Sequence, residues 1–126
     1  MPIIIDGWNF IRSSRSTIKD DDADSLESVR SLISHLNEFQ ITHADPLIVA
    51  LDSSREFLGI AYKNSARLAI VATANADDYI KRYVDKCPLR QRRNVRVVSS
   101  DNDIYFYAKS CYATPIKSEE FWDKLR

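Results

Sequence analysis

Apolar residues along the chain fall into short runs of two kinds. The first kind is continuous and β-branched. Residues 2–6 (Pro-Ile-Ile-Ile-Asp), 47–52 (Leu-Ile-Val-Ala-Leu-Asp), 68–73 (Leu-Ala-Ile-Val-Ala-Thr) and 95–100 (Val-Arg-Val-Val-Ser-Ser) are of this kind. Unbroken runs of this length suit strands covered on both faces, as in a parallel sheet. The second kind recurs at helical spacing. Leu26, Val29, Leu32, Ile33, Leu36 and Phe39 mark an amphipathic helix over 25–40, and Tyr79, Ile80, Tyr83 and Val84 mark another. Asp24 with Glu27 reads as an N-cap and its reciprocal partner for the first. Asp77 or Asn75 caps the second, and Pro88 lies past its end. Residues 103–112 read as an aromatic-rich helix, Ile116 as the centre of a short strand, and 119–125 as a last helix. Gly7 breaks the first strand, 12–23 reads as a polar loop, and 53–66 carries no clear pattern.

The resulting order is β-α-β-(loop)-β-α-β-α-β-α. It predicts one three-layer α/β/α domain over 1–126 with a mainly parallel central sheet. The chain has 126 residues, enough for one self-sufficient core. No apolar run approaches the roughly 20 residues of a membrane span. The start, Met1-Pro2-Ile3, lacks the basic region of a signal peptide, so a cytoplasmic protein with no membrane partner is expected. Cys87 and Cys111 form no metal-binding spacing and read as reduced, half-buried thiols. Two glycines in the chain leave no room for a glycine-rich phosphate loop.

Eighteen basic and eighteen acidic residues give zero net charge, but they are segregated. Lys81, Arg82, Lys86, Arg90, Arg92, Arg93 and Arg96 crowd one stretch, opposed there only by Asp85. Asp20, Asp21, Asp22 and Asp24 form an acidic knot elsewhere. A neutral chain can therefore still carry a basic face.

The informative acids are those at strand ends. Asp6 ends the first strand, Asp52 the second and Asp101 the fourth, with Asp103 close behind. Asp77 and Asp78 open the helix after the third. In a parallel sheet these positions share the carboxyl edge, where open α/β sheets bind ligands. Singly, each can be an ordinary turn or helix cap. Together they form a cluster that calls for a cation, and oxygen donors without His or Cys select Mg²⁺ or Mn²⁺ over zinc.

Ile4-Ile5-Asp6-Gly7-Trp8-Asn9-Phe10-Ile11 resembles the opening DG(Y/W)N signature of NYN domains, a branch of the PIN-like nuclease superfamily. The YacP-like group is the nearest in pattern. Leu51-Asp52 resembles its second strand end, Asn75-Ala76-Asp77-Asp78 its helix-opening T-A-D-E segment, and Ser99-Ser100-Asp101 its T-S-D strand end. Residues 113–121 are similar to its closing segment. Ala74 and Asn75 depart from the usual Thr or Glu, 53–66 does not align, and the Asp101-x-Asp103 pair is more like that of wider PIN domains.

The resemblance implies a PIN-like fold and metal-dependent cleavage of phosphodiesters, with RNA, single-stranded or structured, as the expected partner. It implies that Asp6, Asp77 and Asp101, supported by Asp103, hold Mg²⁺ or Mn²⁺, with Asp52 and Asp78 in outer positions. Asn9 is expected to orient the scissile phosphate or an acid, and Gly7 to let substrate approach the backbone. Residues 81–96 are expected beside the acidic edge, binding phosphates together with Arg12 and Arg15. Trp8, in a turn, is the aromatic expected to stack on bases; Phe10, Tyr105 and Tyr107 are expected in the core. His35 and His43 receive no role.

The alternative is a catalytically weak PIN-like domain that binds RNA or protein. A haloacid-type phosphatase needs D-x-D where Asp6-Gly7-Trp8 stands, Toprim needs a glutamate after its first strand, and a receiver domain needs paired acids there. Homodimerisation and an antitoxin or ribosome-associated partner stay open.

Overall fold

The computed structural model describes residues 2–18, 26–53, 65 and 67–125. The expected acidic knot, the Asp24 cap and nearly all of 53–66 lie outside the described residues. Among those residues the strands are β1 (Ile3–Asp6), β2 (Leu47–Asp52), β3 (Leu68–Thr73), β4 (Arg96–Val98) and β5 (Thr114–Ile116). The helices are α1 (Gly7–Arg12), α2 (Leu26–Thr42), α3 (Ala76–Lys86), α4 (Asn102–Ser110) and α5 (Ser118–Leu125), with a 3₁₀ turn at Leu89–Asn94.

All strand pairs are parallel, in the order β3-β2-β1-β4-β5. β1 lies at the centre, with Ile5 beside Val49 on one side and Val98 on the other. Its alternation divides the core. Ile3 and Ile5 pack with Phe10 of α1, Leu32 and Leu36 of α2, and Phe121 and Trp122 of α5. Ile4 faces the opposite side, with Ile80 and Val84 of α3 and Ile104 and Ala108 of α4. This is the expected three-layer α/β/α arrangement, with every β1 residue buried as a doubly covered strand requires.

From β1 the chain moves outward to β2 and β3. It then returns past β1 to β4 and β5, with its crossover helices on the other face. Right-handed crossovers demand that change of face when the direction of travel reverses. The reversal opens a crevice beyond the carboxyl ends of β1 and β4, where sheets of this kind bind ligands.

Several local expectations change. Gly7 ends β1 as expected, but no turn follows it: it begins α1, whose six residues are too few to display a helical period. A Cβ on Gly7 would lie 2.2 Å from Leu51 Cδ2 and 3.0 Å from the Ala50 carbonyl oxygen. Its lack of a side chain therefore lets α1 press onto β2, rather than letting substrate approach. β4 stops at Val98, before Ser99 and Ser100, and Pro88 begins a 3₁₀ turn absent from the sequence pattern. Pro115 sits in the edge strand β5, where a missing N–H is tolerated.

Candidate metal-binding active site

Four aspartates meet at the crevice. Asp6, Asp52, Asp77 and Asp101 line one cleft of about 570 Å³ with Trp8, Asn9, Arg12, Ser13, Ser14, Ser100 and Glu119. Each acid arrives from a different segment: the ends of β1 and β2, the first turn of α3, and the turn between β4 and α4.

Asp6 stands at the N-cap of α1, yet its side chain makes no capping bond. Its carboxylate instead accepts a hydrogen bond from Ser99 Oγ at 3.1 Å. The residue is only 8% exposed. Burial, with repulsion from Asp77, Asp101 and Asp52 added, raises its pKa to about 6 against the pull of the Ser99 bond. Asp77 is also raised, by burial first and then by Asp101.

The other acids divide between helix chemistry and the cleft. Asn75, not an aspartate, caps α3 by accepting from Asp78 N. Asp52 Oδ1 accepts from Ala76 N at 2.5 Å, so it ties β2 to the start of α3 while lining the cleft. Asp101 Oδ1 caps α4 through Asp103 N and Ile104 N. Its capping role and its place in the cleft coexist, since a carboxylate has two oxygens and several lone pairs.

Carboxylate oxygens of Asp77, Asp101 and Asp103 can lie within 4.8 Å of one another. An all-oxygen donor set so close, with the desolvated Asp6 in the adjoining cleft, fits a hard divalent cation such as Mg²⁺ or Mn²⁺. Asp103 is meanwhile bonded to Lys81 Nζ at 2.6 Å.

Asp78 does not join the cluster. One residue on from Asp77, it is turned about 100° around the helix and pairs with Arg82 at 3.1 Å. Trp8 is not an open stacking platform. It lies in α1, is buried, and donates from Nε1 to the Asp52 carbonyl at 3.0 Å. Asn9 Oδ1 accepts from Ser100 N at 2.9 Å and from Ser118 Oγ at 2.7 Å. It therefore positions the turn that carries Asp101.

Only the first two residues of the basic stretch sit beside the acidic edge, Lys81 bonded to Asp103 and Arg82 paired with Asp78. α3 starts at that edge and runs back for about 16 Å, so Lys86 and the 3₁₀ turn lie at the amino edge. Arg96 opens β4 there and pairs with Asp45 at 2.8 Å. Arg92 is spent on the chain itself, donating to the carbonyls of Cys87 and Asp85. Arg12 alone of the expected phosphate binders lines the cleft, near the Trp8 ring. Arg15 lies 3.9 Å from Asp123.

Glu119, Ser99 and Ser100 escape the sequence reading. Ser100 Oγ donates to Glu119, and that bond holds the Glu119 carboxyl below its usual range. The signal for Glu119 is an acid in the first turn of a helix, which is also the commonest place for an acid of no further role.

A parallel α/β sheet with an acid-lined cleft at its switch point defines a PIN-like nuclease architecture. The model of the YacP-like NYN domain matches residues 3–126, and the chain belongs to that family. No match to it is found among curated protein sequences. Among solved structures it is similar to Rae1 (YacP) from Bacillus subtilis, with a TM-score of 0.75 and 17% identity over 99% of this chain and 73% of that one. A tryptophan-to-leucine variant of the same protein gives 0.71 and 16%, over 98% and 74%. At these identities the likeness speaks for the fold. Among the described residues, no helix is long and apolar enough to cross a membrane.

Proposed function

We propose that the chain is a metal-dependent endoribonuclease. The observation that carries the reading is the convergence of Asp6, Asp52, Asp77 and Asp101 on one cleft at the crevice between β1 and β4. Membership of a PIN-like nuclease family supports it; the resemblance of the DGxN opening to NYN domains supports RNA as the polymer.

Asp77, Asp101 and Asp103 are the residues that would hold Mg²⁺ or Mn²⁺, with Asp6 completing the donor set from β1. Such a cation supplies charge neutralisation for the phosphodiester and an acidified water. The chain's own contribution is positional. Asn9 fixes the Ser100 backbone, and Ser99 Oγ joins Asp6 to the turn by also accepting from Asp101 N at 3.1 Å. Asp52 anchors the helix that bears Asp77. Arg12, at the cleft wall, offers the guanidinium for a phosphate oxygen.

The test is incubation with labelled single-stranded RNA and with DNA of the same sequence, in Mn²⁺, in Mg²⁺ and in EDTA, beside Asp101→Asn. The expected result is RNA cleavage that disappears with EDTA and in the variant. Cleavage that survives both would remove the site.

A further inference from the structure

The amino edge of the sheet, opposite the acidic cleft, carries a second concavity. It holds about 550 Å³ and is lined by Leu89, Arg90, Arg93 and Tyr112. Leu89 and Tyr112 are among the most exposed large apolar side chains, at 62% and 69%. Arg90 and Arg93 are exposed and have no ion pair among the described residues.

Tyr112 is the unusual member. α4 ends in a Schellman motif: Tyr112 N donates to the Lys109 carbonyl at 3.2 Å, and Ala113 N to the Ala108 carbonyl at 2.9 Å. The motif puts its C′ residue in the left-handed region, and Tyr112 has φ 68°. Glycine is the residue that suits this position, because a Cβ is strained there. The fold gains nothing visible from a tyrosine: the buried apolar contact of the motif is made by Ala108 and Ala113, while the phenol ring stands in solvent. Strain at an exposed aromatic points to a role outside folding.

We infer that this groove is a second contact site for single-stranded RNA, in which Tyr112 stacks on a base and Arg90 and Arg93 bind the flanking phosphates. An aromatic face between cations is the chemistry by which unpaired, anionic, base-bearing chains are held. On the outer face of α3, Arg82, which pairs with Asp78, and Lys86, at the amino edge, stand at i, i+4 spacing, so a strand approaching the groove from the cleft meets the Lys86 ammonium beside it. The inference takes its ligand class from the RNA reading above and makes the domain a two-point holder of its substrate.

The experiment measures binding of a fluorescent single-stranded RNA of about 16 nucleotides, the upper end of the site sizes of single-strand-binding OB folds, by anisotropy in EDTA. Without a cation the carboxylates of the cleft repel phosphate, so binding reports on the basic groove. Tyr112→Gly should keep or raise the melting temperature yet weaken binding by about fivefold to a hundredfold, and Tyr112→Phe should restore it. Arg90→Gln with Arg93→Gln should lower the log–log salt slope by about 1.4, two contacts at about 0.7 each on a single strand. Wild-type affinity in both variants overturns the inference and leaves the groove to a protein partner or to none. Absence of wild-type binding overturns it too. Because metal-dependent cleavage is read separately, the groove can fail while the nuclease stands, and the reverse.

Discussion

Ser99 Oγ lies 3.1 Å from Asp6 Oδ2 and, on its other side, 3.1 Å from the Asp101 amide. One hydroxyl thus joins the end of β1 to the turn after β4, across the crevice of the sheet. It is the hydrogen bond that partly offsets the burial of Asp6.

That burial makes stability depend on pH. Asp6 has a folded pKa of about 6 against 3.8 for the ordinary carboxyl. Below about pH 4 the group is protonated in both states and costs nothing. Between about 4 and 6 the folded state binds more protons than the unfolded one, so stability falls as pH rises, and above about 6 the full cost is present. Asp77, Asp101 and Asp52 face the group and add to the effect, while Ser99 opposes it. In EDTA, Asp6→Asn should therefore stabilise the protein at pH 8 by about 1–3 kcal/mol, with little change at pH 4, and with Mn²⁺ present the same variant should abolish cleavage. Denaturant unfolding at the two pH values is the measurement. A variant less stable at pH 8 would show that Asp6 is not a strained buried charge.

Asn9 holds two segments through a single oxygen, Ser100 N and Ser118 Oγ. Asn9→Ala leaves the Ser100 amide without its partner in a partly buried turn, at a cost of about 1–3 kcal/mol. Because that turn carries Asp101, kcat should fall more than KM changes. If Asn9 instead met the phosphate directly, KM would rise with stability unchanged. Steady-state kinetics beside thermal melting separates the two.

Much of the fold was legible because its strands are buried on both faces. The runs at 47–52 and 68–73 become β2 and β3 with the expected bounds, and the 26–39 spacing becomes the core face of α2. What period cannot reveal is a short element: α1 has six residues and the 3₁₀ turn six. The acids were legible as strand ends, yet residue spacing could not say which way each side chain turns. Asp77 and Asp78 are neighbours in sequence and part company on the helix. The charge of 81–96 was legible too, but not its position, because a helix that starts at the carboxyl edge must finish at the other. Ser99 and Ser100 entered only as part of the T-S-D-like strand end, and nothing in that pattern shows which groups their hydroxyls join.

Gly7 tests the packing of α1. A methyl there meets the Leu51 side chain and the Ala50 carbonyl, the latter part of β2 and unable to swing aside. Gly7→Ala should destabilise by about 1–3 kcal/mol through overpacking. Leu51→Ala, added to it, should recover part of that loss, giving a favourable coupling in the double-mutant cycle. Additive losses would mean that Val49 Cγ1, at 2.9 Å, and the Ala50 carbonyl, and not Leu51, set the cost.

Lys81 tests the cation reading from the opposite sign. Its ammonium sits 2.6 Å from Asp103 Oδ2. The same bond keeps the lysine above its usual pKa, with Asp77 and Asp101 adding attraction. A divalent cation held by Asp77, Asp101 and Asp103 competes with that charge for Asp103 and is repelled by it. Lys81→Gln should therefore bind Mn²⁺ more tightly, by about two- to fivefold for an exposed pair screened by water, as read by calorimetric titration. Asp103→Asn should weaken Mn²⁺ binding in the same assay and make it indifferent to Lys81→Gln. If Mn²⁺ affinity were unmoved by either change, the cation would lie deeper, between Asp6, Asp77 and Asp101, and the Lys81–Asp103 pair would be a strut between α3 and α4.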